Sequence, residues 1–398
     1  MWNRPWRLAE GICIGAGLIV VGLLLQFTIG SIDWQLIAYP LNAILLVVFM
    51  LVLCVLYAVR KRFYIISWTM TMTAAVPAIA YGVLVTLLMA LTGYDEMLRS
   101  WPLVLIYIWL MNILGLTALH RLLHITRGGI VHNVCHVCNH LGLFMAMVCG
   151  TLGNADMQRL SMTVRVGSPE WRALDKRAAA AGQGATQTAI RELPLAIELR
   201  SFSIDEYPPK YVIIDNTTGQ VIKDTQWQVR QDTLLEYAAI RPQADSTAMT
   251  SYIEWRSMGA CTAACVTATQ PSGQQVSGWV SCGNFMFPYQ ALRLDDRCSV
   301  VMPEREPRRY TSEVTVYTQA GDKQDALIEV NHPLEIDGWK IYQLSYDEAL
   351  GRWSDTSVFE LVRDPWLPYV YAGIFMMLLG AALNFLTAGH NAPKTRQQ

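Results

Sequence analysis

Six long apolar runs organise this chain, at roughly residues 11–30, 37–59, 63–93, 102–119, 130–153 and 367–388, and none contains Asp, Glu, Lys or Arg. A hydrocarbon core about 30 Å thick takes ~20 residues of helix to cross. Backbone groups in lipid must find their hydrogen bonds within the segment, so the runs predict six transmembrane helices and not strands. Pro77 predicts a kink in the third run, whose length also allows tilt. The first run lacks a small-residue cleavage site and leads at once into further apolar runs, so it is expected to stay as a span and not be removed as a signal.

Between the fifth and sixth runs the period changes to two. Leu195, Ile197 and Leu199 alternate with Ala196, Glu198 and Arg200, and Val314 alternates with Val316. Ile341 and Leu344 continue the pattern with a slip, and residues 211–214 lead into a turn at 215–219. Short strands bounded by Asn, Asp, Gly and Pro predict an antiparallel, sandwich-like, β-rich domain. Ser168-Pro169-Glu170 reads as a helix start, with Ser as N-cap and Pro at the first helical position. Residues 178–188, rich in Ala and broken by Gly, read as its end or as a loop. The expected division is residues 1–153 with five spans, 154–365 as the β-rich domain, and 366–398 with the last span and a tail. About 200 residues can bury a core of their own.

Charge gives the arrangement a direction. Residues 156–364 hold 21 Lys/Arg and 28 Asp/Glu, whereas the rest of the chain holds 10 Lys/Arg and 4 Asp/Glu. Of those ten, Arg4, Arg7, Arg60, Lys61, Arg62, Arg121, Arg127, Lys394 and Arg396 fall on one side of the six spans. Arg99 falls on the other side, beside Asp33, Asp95 and Glu96. The positive-inside rule then predicts cytoplasmic termini and a β-rich domain on the periplasmic side of a bacterial inner membrane. A net charge of −1 with no basic patch in that domain gives no footprint for nucleic acid.

Four of the nine cysteines, Cys261, Cys265, Cys282 and Cys298, fall in the β-rich domain. An even number in an oxidising compartment predicts two structural disulfides, with three connectivities open. Near the inner membrane face the chemistry is different. Five of the seven histidines, His120, His124, His132, His136 and His140, fall within 21 residues, interleaved with Cys135 and Cys138. Spacing of four puts His120 and His124 on one face of the fourth span, and His132, His136 and His140 on one face of the fifth. Imidazoles on facing helices suit axial ligation of haem iron, with Arg121, Arg127 or Arg60–Arg62 available to the propionates. His120, His124 and His132 sit near the interface, where a solvated histidine needs no special role. His140 is the deepest, and an ionisable group inside a bilayer is a functional candidate by default. Cys135-His-Val-Cys138 is followed by Asn139, so it lacks the histidine of a covalent haem site.

Particular segments resemble a known family. Asn139-His-Leu-Gly-Leu-Phe, followed by Gly153-Asn-Ala-Asp and Met162-Thr-Val-Arg-Val-Gly, looks like the span that enters the outside domain of ResB proteins. The most specific match is Val330-Asn-His-Pro-Leu-Glu-Ile-Asp-Gly-Trp-Lys-Ile-Tyr-Gln-Leu-Ser-Tyr-Asp347, followed by Leu361-Val-Arg-Asp-Pro-Trp-Leu-Pro. With Ser281-Cys-Gly-Asn-Phe-Met-Phe-Pro-Tyr-Gln the resemblance covers roughly residues 100–390 and is nearest to the Bacteroidetes form.

The resemblance implies a subunit of system II cytochrome c maturation. Such a subunit works with a CcsA/ResC-type partner that bears a tryptophan-rich segment, and together they export haem b and attach it to apocytochrome c. A periplasmic thiol reductase belongs to the same scheme, and the chain is expected to be a non-catalytic or co-catalytic part of the synthase. His140 matches in position a family ligand of haem arriving from the inside; His136 is a weaker candidate. His332, in an Asn-His-Pro turn, reads as a turn residue. The usual unit has four spans where this chain has six, and it lacks the partner's tryptophan-rich segment. The alternatives are a b-type haem subunit of an electron-transfer complex, a His/Cys metal transporter, and a scaffold that only receives apocytochrome. The large outside domain counts against the first, and the lack of a polar ligand ladder across the other spans counts against the second.

Overall fold

A computed structural model describes residues 2, 4–92, 98–125, 130–175, 189–242 and 250–388, with backbone alone at 92, 130–132 and 387–388. The chain forms two compact units, Met1–Met157 with Asp364–Gln398, and Gln158–Arg363. The first is a membrane unit: among the described residues, six helices are long and apolar enough to span a bilayer. The expected loop or helix end at 178–188 lies outside the described residues.

The helix ends follow from local chemistry. α1 (Leu8–Ile29) begins three residues before the charge-free run because the Glu10 carboxylate accepts from the Arg7 backbone N–H at 2.7 Å. That contact caps a donor the helix itself cannot satisfy. α2 (Leu41–Val59) starts later than its apolar run, after a 3-10 turn at Trp34–Ile37 in which Asp33 accepts from the Gln35 N–H. The third run divides into a short helix, α3 (Tyr64–Thr69), and the span α4 (Met72–Thr92). Its excess length is therefore taken up by a break before Pro77, where Thr69 and Thr71 hydroxyls donate to the Ile66 and Trp68 carbonyls. Such back-bonding competes with the helix ladder. α5 (Trp101–Leu123), α6 (Ile130–Gly153) and α7 (Leu367–Ala388) complete the unit. On α1, Gly11, Gly15 and Gly22 face Pro77, Tyr81 and Pro102 at backbone-close range. Small residues take the place of apolar driving force where lipid is as greasy as leucine.

One carboxylate ties several of these elements together. Asp156, just beyond α6, accepts from the Tyr39 N–H at 2.7 Å, from Asn42 Nδ2 on α2 at 2.7 Å and from Trp366 Nε1 before α7 at 2.6 Å. Burial alone would raise its pKa, but the bonds from Asn42, Tyr39 and Trp366 together hold it below the usual carboxylate range. A depressed folded pKa stabilises above the unfolded value of ~3.9, and that contribution is lost as pH falls through the folded value. Asp156→Asn turns an N–H₂ toward at least one of these donors. The expected cost is about 2 kcal/mol at neutral pH, typical of hydrogen bonds to a charged group. Melting of the purified protein should show the gap at pH 7, narrowing in acid. A variant as stable as wild type at pH 7 would remove the clamp.

The second unit is all strand in its described regular structure apart from one 3-10 turn. β1 (Gln158–Arg165), β2 (Glu170–Asp175), β3 (Ile190–Glu206), β11 (Pro307–Thr318), β12 (Lys323–Glu329), β13 (Leu334–Ile336), β14 (Trp339–Tyr346) and β15 (Thr356–Arg363) form one antiparallel sheet ordered β12-β11-β3-β2-β1-β15-β14-β13. Alternate residues of nearly every strand enter one core, including Met162, Ile197, Val316, Trp339 and Phe359. The sheet curls until β12 touches β13 and β14 at its far end. The outcome is a rolled, barrel-like layer enclosing its own core. β5 (Gln228–Ile240), β6 (Tyr252–Glu254), β7 (Cys261–Thr269) and β8 (Gln275–Ser281) make a second sheet, and β4 (Val212–Asp215), β9 (Leu292–Arg293) and β10 (Cys298–Val301) a third. Arg305, its side chain 8% exposed, pairs with Glu206 on β3 and Glu236 on β5 and so links the rolled sheet to the second.

One expectation for this unit is corrected. The helix start at Ser168-Pro169-Glu170 is instead a turn followed by β2, with Gly167 at φ +73°. The Glu170 carboxylate does accept backbone N–H groups, those of Trp171 and Arg172, but both residues are extended. Pairing of β2 with β1 and β3 decides the conformation over the local signal. Cys261, Cys265, Cys282 and Cys298 stand as free thiols in this structure. Cys261 and Cys265 are four apart on β7, about 13 Å at strand rise, too far to bridge. Cys261 lies in the cluster with Ala263 and Tyr252, on one face of β7, whereas Cys298 belongs to the cluster with Ala264 and Val266 on the other.

Candidate functional site

The histidines predicted from spacing fall into two groups in the membrane unit. In the first, His120 near the end of α5 meets α2: its Nδ1 is 3.2 Å from the Tyr57 hydroxyl. Arg60 lies over the Tyr57 ring at 3.7 Å and donates to the Tyr57 carbonyl at 2.6 Å. His124 caps α5, its ring 4.5 Å from that of His120 and its Nδ1 2.8 Å from the His120 carbonyl. The second group is His136 and His140 on α6, with ring centroids 5.9 Å apart and His140 Nδ1 2.9 Å from the His136 carbonyl. The side chain of His132 lies outside the described residues.

The carbonyl contacts settle the tautomers. A carbonyl oxygen only accepts, so Nδ1 of His124 and of His140 carries the proton. In the neutral ring Nε2 then holds the lone pair, which is how a protein prepares imidazole for a metal. His140 is half-buried, one turn before Phe144, which packs with Leu53, Tyr57, Met111 and Leu116. At about 100° per residue it lies roughly 160° round α6 from Gly142. Gly142 itself abuts the backbone of Gly373 and Met377 on α7. His140 thus faces away from the tightest helix contact, toward the side where Phe144 packs on α2 and α5.

His136 and His140 cannot both bind one haem iron axially. They sit one turn apart on a single helix and project the same way, whereas axial ligands approach from opposite faces. Among the described residues no three His, Cys, Asp or Glu side chains converge on a common metal position. Cys135 and Cys138 are free thiols, Cys135 fully buried.

Spacing did not find Tyr57 or Arg60 as neighbours of His120. Nor did it find Tyr107, whose hydroxyl donates to the Met147 carbonyl and accepts from Thr151 one turn below. A lone amide, hydroxyl or phenol in an otherwise apolar span was the available signal.

In the β unit, His332 is an exposed turn residue exchanging backbone bonds with Glu329, and Asn331 before it takes φ +66°. Near β7, Asn284 donates to the Gly259 and Ala260 carbonyls at 2.8 and 3.0 Å. Arg352 Nη2 reaches the Glu236 carbonyl at 2.8 Å and Ala260 at 3.3 Å, and Trp353 Nε1 donates to Ala260 at 3.1 Å. Residues 259–262 and 352–353 are thereby fastened to each other.

That fastened segment is where a known family is found. Residues 259–354 match the model of the ResB-like family, beginning and ending at these contacts. No curated protein matches the chain significantly.

Proposed function

We propose that this ResB-like chain, whose family implies involvement in cytochrome c biogenesis, is the membrane subunit that helps bring haem across the inner membrane for attachment to apocytochrome c. The observation that carries the reading is the family match, lying inside a folded β unit between the fifth and sixth spans. The positive-inside distribution supports cytoplasmic termini and a periplasmic β unit. His140, with Nδ1 tied to its own helix and Nε2 bearing the lone pair, would offer one axial ligand to haem as cargo. A CcsA/ResC-type partner would complete the haem-handling complex.

The test is deletion of the coding frame followed by a haem-peroxidase stain of membrane proteins. Covalent c-type cytochromes should fall to background while b-type haem absorbance stays near wild type. Normal covalent cytochrome in the deletion strain would overturn the proposal.

A further inference from the structure

Four cations meet at the end of the membrane unit that carries the N-terminus. Arg4, Arg60, Lys61 and Arg62 line a cavity of about 360 Å³ whose other walls include Tyr64 and Met70. Among the described residues no carboxylate forms an ion pair with any of the four; the ion pairs described all lie in the β unit. Gathering like charges costs energy unless an anion joins them.

Two of the guanidinium groups are already held in place. Arg4 lies over the Tyr64 ring at 4.5 Å, and Arg60 is fixed by the Tyr57 ring and carbonyl. A guanidinium has five donors, so each keeps several N–H groups for an oxyanion once one plane is stacked. Less side-chain freedom then remains to be lost on binding. The site is also at a fixed depth. It lies where α2 ends and α3 begins, beside spans with no charge in their apolar stretches, at the boundary of hydrocarbon and water. Basic pockets between spans on this side are suited to acidic headgroups.

We propose that this cavity binds the phosphate of an anionic phospholipid headgroup, with Arg4, Arg60, Lys61 and Arg62 as its donors. A soluble phosphate would share the oxyanion chemistry, but the apolar wall from Tyr64 and Met70 and the adjoining spans fit a phosphate joined to acyl chains. The site is independent of the haem ligand: His140 is on α6, and none of the cavity's walls is.

The experiment uses the full chain, purified in detergent and placed in nanodiscs of neutral phosphatidylcholine, or of phosphatidylcholine with phosphatidylglycerol or cardiolipin. Bound lipid is counted by native mass spectrometry and stability followed by thermal melting. Wild type should retain anionic lipid and melt higher in anionic discs. Arg4→Gln with Arg62→Gln removes two cations at about 1 kcal/mol each, so apparent lipid affinity should fall roughly 30-fold. Arg4→Lys with Arg62→Lys keeps the charge and should retain most of it. Equal melting of wild type in neutral and anionic discs, with no retained lipid, overturns the proposal without needing any variant. Inorganic phosphate giving the same stabilisation in neutral discs overturns the lipid assignment in favour of a soluble anion.

Discussion

Gly373→Leu should leave little folded protein in the membrane, because the position has no room for any side chain. A Cβ there would come within 2.6 Å of the Gly142 carbonyl oxygen and 2.7 Å of the Ala146 nitrogen. The reverse holds as well: a Cβ at Gly142 meets the Gly373 oxygen at 2.6 Å and the Met377 nitrogen at 2.8 Å. Every one of these obstacles is backbone, so no rotamer change relieves them and the helices must part. Parting α6 from α7 dismantles the densest helix contact in the unit. It also pulls Trp366 from the Asp156 clamp, so the loss should exceed the ~1–3 kcal/mol of ordinary overpacking. Gly17→Leu on α1 is the matched control, since nothing lies within 4 Å of a Cβ there. Fluorescence-detected size exclusion of tagged protein should give a strong monodisperse peak for Gly17→Leu and a weak or aggregated one for Gly373→Leu. Equal peaks would mean the two helices do not pack as described.

The spans were legible because lipid leaves one solution for an apolar run: all backbone bonds internal, hence helix. Their ends were less so. The start of α1 depends on a carboxylate reaching back three residues, and the break before α4 on threonine hydroxyls, details that hydropathy averages away. Strands such as β3 showed in the alternation of Leu195, Ile197 and Leu199, since one face is core and the other solvent. β2 did not. Its Ser-Pro-Glu opening carries a helix signal, and the strands that override it are β1 and β3, whose pairing no window of sequence contains.

Cysteine counting sees number and compartment, whereas bridging also depends on reach, and strand rise alone keeps Cys261 and Cys265 about 13 Å apart on β7. For the candidate site, spacing of four placed His136 and His140 together, as helix geometry requires. What it could not reveal was the carbonyl contact that fixes the His140 tautomer, or the Tyr57 partner of His120 from a different helix. The Gly153-Asn-Ala-Asp stretch drew notice only as resemblance; its Asp156 is the clamp between α2, α6 and α7.

His140→Ala is the sharper test of haem handling, because it removes one donor atom and leaves the helix intact. Alanine is the best helix former, so α6 should persist, and the lost contact to the His136 carbonyl is local to one turn. If Nε2 is the ligand this chain gives to haem, the variant leaves iron one bond short. Loss of a partner that only orients a ligand already costs about 10–100-fold in metal affinity, so loss of the ligand should cost at least tenfold in co-purifying haem. Cytochrome maturation should fall with it. Free imidazole is small enough to enter the vacated space and supply the missing nitrogen, so part of both should return when it is added. Folding defects would not respond in that way, which separates a ligand from a merely structural histidine. His332→Ala should leave haem and maturation near wild type, since that side chain is exposed in a turn. His120→Ala should weaken the α2–α5 contact through Tyr57 without a response to imidazole. The readouts are the haem absorption spectrum of the purified protein and the covalent cytochrome yield, each with and without imidazole. Full haem content and full yield in His140→Ala would withdraw the ligand and leave the β unit, not α6, as the part that serves maturation.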